Sequence, residues 1–231
     1  MFPRYERQKM DHTVKFAIRF PARRFELIHD LKKCVTCTIC STVCPTGAIE
    51  LGPVTISLEG SEETLPLVID EERCVWCGVC DHFCPFGAIE LHIDGQHDSV
   101  LARKLGLPTL DAKIRIISKQ TVFDRYIKYS YARGYFEGEL IFHSEKCHND
   151  CVTCANACII GAIDLIPPEK RKVKHLEISL NETKCNLCGA CVHACKVSGA
   201  IELTRKEVRS TGERTEIWEE IVNKLTEKIT S

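Results

Sequence analysis

Sixteen of the 231 residues are cysteine, and they fall into four tight groups. The first is Cys34, Cys37, Cys40 and Cys44; the second is Cys74, Cys77, Cys80 and Cys84. The third is Cys147, Cys151, Cys154 and Cys158, and the last is Cys185, Cys188, Cys191 and Cys195. Four thiols crowded this closely suit disulfide geometry poorly. In a reducing cytoplasm, the expected setting here, they stay free for metal. A chain so built has to fold its loops around inorganic guests, and every other element is arranged to serve that.

The groups belong to a repeat. Each is followed by one signature, GAIEL at 47–51, 87–91 and 199–203 and GAIDL at 161–165. Each is preceded by a run with strand character, "RFELI", "LPLVI", "GELIF" or "HLEISL". The repeating unit is predicted as strand, cysteine loop, one-turn helix, strand. Two units form a first module at 25–91 and two more a second at 139–203. Residues 1–24 are an N-terminal extension, and 92–138 are a linker or docking insertion, too long for an ordinary loop. Residues 204–231 are predicted as a C-terminal amphipathic helix, because Ile217, Trp218, Ile221, Val222, Leu225 and Ile229 share one stripe. That stripe fits either the chain's own core or a docking surface.

The spacing C-x2-C-x2-C bends a short loop about one point, so three thiolates converge while backbone N–H groups turn toward the same place. Glycine after the second cysteine permits a close approach. Gly78 and Gly189 occupy that position, whereas Thr38 and Val152 imply that a side chain is tolerated there. The competing reading is structural zinc, which favours separated C-x2-C pairs rather than a third cysteine following at once. The second half departs from the first. One extra residue separates Cys147 from Cys151, with Asp150 where a cysteine would fall. Ile159 and Lys196 replace the prolines that follow Cys44 and Cys84, and an extra residue precedes Gly199. Thiolate remains the better ligand for iron–sulfur cores, so Asp150 is not expected to bind. Trp76 is read as packing, and His82, His148 and His193 as neighbours rather than ligands.

Composition removes other classes. The formal net charge is −1, so no basic field points to nucleic acid. The aromatic-basic stretch 122–136 is read as packing or partner docking. No window approaches 18 apolar residues, so no membrane-spanning helix is expected. There is no G-x-G-x-x-G after a strand, no P-loop, no nucleophile elbow and no cysteine left over as a nucleophile. A catalytic role is therefore not expected.

With its C-x2-C-x2-C-x3-C-P run twice in succession, the chain resembles the bacterial-type ferredoxins that carry two 4Fe–4S clusters. The resemblance implies an α+β fold of two tandem, pseudo-twofold, two-cluster modules. In such proteins the fourth cysteine of each run ligates the other cluster. It thus implies four clusters: Cys34, Cys37 and Cys40 with Cys84; Cys74, Cys77 and Cys80 with Cys44; Cys147, Cys151 and Cys154 with Cys195; and Cys185, Cys188 and Cys191 with Cys158. The stretches "CPTGAIELGP", "IDEERCVWCGVC" and "ARGYFEGELIF" are also similar to the polyferredoxins of methanogenic archaea, such as that of formylmethanofuran dehydrogenase.

That resemblance implies an electron-transfer subunit relaying low-potential electrons to or from a catalytic partner. The partners it implies are the catalytic and other subunits of a redox complex, or other ferredoxins. A hydrogenase, a heterodisulfide reductase or another redox complex is the alternative setting, and a zinc-stabilised scaffold the competing class.

Overall fold

The computed structural model describes residues 2–58, 61–98, 101–117, 131–148, 150–166 and 176–231, with backbone alone for 54–58 and 61–63. Residues 122–130 of the aromatic-basic stretch lie outside the described residues. The chain divides into two compact units, Met1–Thr109 with Gly212–Lys224 and Leu110–Thr211 with Leu225–Ser231.

The first unit contains, in chain order, β1 (Arg4–Met10), β2 (Thr13–Arg19), β3 (Arg24–Asp30), α1 (Ile39–Thr42), β4 (Ile49–Leu58), β5 (Ser61–Ile69), α2 (Val79–Phe83), β6 (Ile89–Ile93), β7 (Gln96–His97) and α3 (Leu101–Lys104). A five-stranded sheet has the order β1-β2-β3-β6-β7, and β4 pairs with β5 apart from it. Residues 1–24, expected as an extension, thus supply two strands of this sheet. The reason lies in β2, where Val14, Phe16 and Ile18 alternate at period two and bury their side chains with Leu27, Ile89 and Leu91. Part of the segment expected as a linker joins the same sheet, since β6 runs on to Ile93 and returns as β7.

After β8 (Thr109–Leu110), the second unit contains β9 (Lys113–Ile116), β10 (Tyr131–Gly134), β11 (Phe136–Phe142), α4 (Thr153–Ala157), β12 (Ile163–Ile166), β13 (Glu177–Leu180), α5 (Ala190–Ala194), β14 (Ile201–Val208) and β15 (Ser210–Thr211). Its topology repeats that of the first. The strand before the first motif pairs antiparallel with the strand after the second, β3 with β6 and β11 with β14. The two inner strands pair with each other, β4 with β5 and β12 with β13. In β11 the register shifts at Glu137/Gly138. A Cβ on Gly138 would collide with the carbonyl oxygen of Thr204, so only glycine fits that bulge.

Beyond β14 comes α6 (Glu216–Thr226), then β16 (Ile229–Thr230), which pairs with β14 in the second unit. The Oγ1 of Thr215 accepts the N–H of Trp218 and opens α6 as a capping side chain. Trp218 is 1 % exposed. Its ring stacks on Phe83 within the first unit, centroids 5.7 Å apart. Ile221 and Leu225 are buried on the same stripe. The last residue is tied down as well: Ser231 Oγ accepts from the amides of Ala200 and Ile201 and donates to the carbonyl of Val197.

His29 sits in the middle of the first sheet, fully buried between Val14 and Ile89, and among the described residues neither ring nitrogen has a hydrogen-bond partner. Burial holds its pKa down at about 4 against an ordinary 6.5, with Asp30 opposing the shift. The unfolded chain therefore binds a proton at pH values where the folded chain does not. Stability from this site is complete above about 6.5 and is lost as pH falls toward 4. Between pH 7 and pH 5 the loss is expected to be on the order of 2 kcal/mol. Urea midpoints at the two pH values should show that drop in the wild type and a correspondingly smaller one in His29→Leu. Equal drops would remove His29 as the cause.

Candidate metal centres

Three of the four cysteine loops share a backbone device. Two residues after the first cysteine, Thr36, Trp76 and Leu187 lie at φ 53°, 55° and 55°. Four residues after it, Thr38, Gly78 and Gly189 lie at φ 64°, 74° and 91°. Left-handed backbone costs a residue with a Cβ roughly 1–2 kcal/mol. Thr38 is therefore strained rather than freely tolerated, and such strain persists where the surrounding fold enforces a particular loop. The turn brings amides onto sulfur. The N–H of Trp76 donates to Cys74 Sγ at 3.4 Å and that of Leu187 to Cys185 Sγ at 3.5 Å. The third loop differs, with Val152 at φ −118°, because its extra residue lets the chain take another path.

The GAIEL signature acquires a physical meaning here. Its glycines, Gly47, Gly87, Gly161 and Gly199, all have φ between 58° and 66°. In three repeats the following alanine then donates its N–H to the fourth cysteine: Ala48 to Cys44, Ala88 to Cys84 and Ala162 to Cys158, at 3.1–3.3 Å. In the fourth repeat the inserted residue sends the Ala200 amide to Val197 and Ser231 instead. The basic residue before a motif's first cysteine also reaches across to the paired repeat. Lys33 Nζ donates to the carbonyl of Gly87, Arg73 Nη2 to that of Thr46 and Lys146 Nζ to that of Gly199.

Two cavities in the first unit are lined by the cysteines. One, of about 400 Å³ with its mouth included, has Cys34, Cys37, Cys40 and Cys84 on its wall, with Ile39, Leu67 and Phe86. The other, about 340 Å³, has Cys74, Cys77, Cys80 and Cys44, with Leu27, Ile49 and Ile69. Each therefore gathers three thiols of one motif and the fourth of the other. Electrostatics repeats the grouping. Burial pushes Cys34 up to about 11 and Cys40 higher still, with Cys84 adding to both. Burial raises Cys74 to about 12, with Cys77 and Cys44 adding to it.

In the second unit, burial lifts Cys154 to about 11, with contributions from Cys147, Cys151 and Cys195. It lifts Cys188 to about 12, with contributions from Cys185 and Cys158. The two sets of the first unit stand in apolar walls, and in all four sets burial disfavours the charged thiolate. Such sites accept a cation that displaces the thiol protons. No three His, Cys, Asp or Glu side chains among the described residues stand close enough to share a single metal ion.

The other candidates fall around these sets. Asp150 and His148 are exposed. Trp76 is buried in the first core, and His82 lies edge-on to Phe83. Burial lowers His193, and Arg205 adds to that effect. At the described end of the aromatic-basic stretch Tyr131 is exposed, whereas Tyr135 and Phe136 are buried with ring centroids 4.5 Å apart.

Over the first pair of motifs, fold and sites are those of a ferredoxin-type iron–sulfur domain, and the comparisons with known proteins agree. Residues 33–88, the first pair of motifs, match the family described as 4Fe-4S dicluster domain. Among solved structures, the chain is similar to one chain of the formate dehydrogenase–heterodisulfide reductase–formylmethanofuran dehydrogenase complex from Methanospirillum hungatei. The identity is 26 % and the TM-score 0.79, over 100 % of this chain and 94 % of that one. No curated protein matches significantly. No described helix is long and apolar enough to cross a membrane.

Proposed function

We propose that this chain holds four 4Fe–4S clusters in two tandem two-cluster modules and serves as an electron-relaying subunit, not itself an enzyme, of a cytoplasmic redox complex. The observation that carries this is the lining of the two cavities of the first unit, where three cysteines of one motif meet the fourth of its partner. The residues that would hold the clusters are those assigned above: Cys34, Cys37, Cys40 and Cys84; Cys74, Cys77, Cys80 and Cys44; Cys147, Cys151, Cys154 and Cys195; Cys185, Cys188, Cys191 and Cys158. Bound, a 4Fe–4S cluster supplies reversible one-electron chemistry at low potential. The chain's own part is to present thiolates, aim N–H groups at them and exclude water with apolar walls.

The likeness to a chain of the Methanospirillum hungatei complex supports formylmethanofuran dehydrogenase as the catalytic partner. The same complex also names heterodisulfide reductase, which makes that enzyme the second reading. Protein purified without oxygen should contain about 16 iron and about 16 acid-labile sulfide per chain, with broad absorbance near 400 nm. Colourless protein binding only zinc would end the proposal. Anaerobic co-purification from native cells then separates the two partners.

A further inference from the structure

The strand that leads into the first motif of each unit is flanked differently in the two. β3 lies inside its sheet, with β6 on one side, β2 on the other and β1 beyond β2. Its counterpart β11 pairs with β14 alone, and no described strand takes the place of β2. The correspondence is otherwise close. Asp30 donates its N–H to the carbonyl of Ala88, and His143 donates its own to that of Ala200. Counting back from these two sets Glu26, Leu27 and Ile28 against Glu139, Leu140 and Ile141, the same residue types in the same order. In an antiparallel ladder, alternate residues turn their backbone groups to opposite sides. Those of His29 and Leu27 therefore face β2, in register with Val14 and Phe16. Those of Phe142 and Leu140 face the edge where no described strand runs.

A groove of about 1600 Å³, its open mouth included, is lined by residues 136–141 of β11 and by Leu180 and Leu187. Leu140, Leu180 and Leu187 pack against the core of the second unit, which gives the groove an apolar side. Sheets guard an exposed edge with charge, above all lysine, and with proline. The outer strand of the first sheet, β1, carries Arg4, Arg7 and Lys9, whereas β11 has no lysine, arginine or proline. Its bulge lies at Glu137/Gly138, and the register from Gly138 to Phe142 is unbroken. What such an edge accepts is seen on β3. There Lys15 of β2 holds Glu26 at 3.0 Å, with the glutamate side chain 6 % exposed, and Val14 and Phe16 turn into the core. Glu139, in the place of Glu26, is 58 % exposed and meets only the equally exposed Lys206 of β14, a pair of little energetic weight. Acidic and basic side chains balance over the groove as a whole, so its net charge selects nothing and the register along β11 decides.

We propose that the free edge of β11 takes an extended segment of a partner protein as an added antiparallel strand, apolar at alternate positions and with a lysine or arginine beside Glu139. Strand addition draws its affinity from backbone hydrogen bonds and its specificity from alternate side chains. The chain's own segment of that pattern, β2, is already paired on both edges, so the strand comes from another protein. The proposal does not depend on the number of clusters.

The probe is a blocked synthetic peptide of residues 12–20, which is β2 with one residue on either side. It is added to the full chain, purified without oxygen, and amide hydrogen exchange is read residue by residue by mass spectrometry. In the free chain the amides of Leu140 and Phe142 should exchange about tenfold or more faster than those of Glu139, Ile141 and His143, which bond to β14. Saturating peptide should remove that difference. A peptide carrying Lys15→Glu should bind about fivefold more weakly, and Glu139→Lys in the protein should reverse the order of the two peptides. Glu139 and its partner are both exposed, so this variant is expected to fold and to carry the iron of the wild type. Slow Leu140 and Phe142 amides in the free chain at every protein concentration would show the edge covered by the chain itself and overturn the proposal. Slowing that appears only as protein concentration rises would assign the edge to a second copy, and overturns it too. So would a peptide that protects nothing, one that protects Leu27 and His29 instead, or a preference that Glu139→Lys leaves unchanged.

Discussion

Replacing Cys44 with alanine is expected to strip the iron held by Cys74, Cys77 and Cys80 and to spare the site of Cys34, Cys37 and Cys40. Cys44 belongs by sequence to the first motif, but its sulfur lines the cavity of the second. The loss should be about four iron per chain. Double variants identify which site has gone. Cys44→Ala with Cys77→Ala should lose no more iron than either alone, because both act on one site. Cys44→Ala with Cys37→Ala should lose about eight iron per chain, because independent sites add. The opposite pattern would show that each motif keeps its own fourth ligand.

Trp218→Ala is expected to destabilise the first unit by about 3–5 kcal/mol, the usual cost of emptying a buried aromatic site. The ring is 1 % exposed and stacked on Phe83, whose helix α2 carries Cys80. Removing 214–231 altogether should therefore leave little soluble protein. That deletion would also take away Ser231, which satisfies two amides at the start of β14. Chemical denaturation of the loaded protein measures the first effect, and yield in the soluble fraction the second. A Trp218 variant with an unchanged midpoint and weakened partner binding would make the stripe a docking surface after all.

The sixteen cysteines were legible because thiol spacing is a local property: a short loop carries its own chemistry wherever it sits. The GAIEL signature was visible as a repeat, yet its purpose was not. That purpose depends on a left-handed glycine delivering the next amide to sulfur, as Ala88 is delivered to Cys84 at 3.1 Å. Thr38 illustrates the reverse case. Its side chain suggested tolerance, whereas its φ of 64° reveals a loop geometry imposed on a residue ill-suited to it. The first 24 residues looked peripheral because they precede the first repeat and carry no cysteine. Only pairing in register with β3 shows that β2 completes a core.

By itself, the sequence determined the number of cysteine loops, their pairing along the chain and the class of metal they suit. Those follow from spacing and from the preference of iron–sulfur cores for thiolate. The tertiary structure alone decided which distant side chains brace these loops. It buried Trp218 against Phe83 and laid Arg205 on the carbonyls of Leu187 and Cys188. Such pairings join residues tens of positions apart, through strands whose register is set by which faces must be buried. A buried charge likewise acquires its strength from the water excluded around it, and no stretch of sequence read alone contains that exclusion.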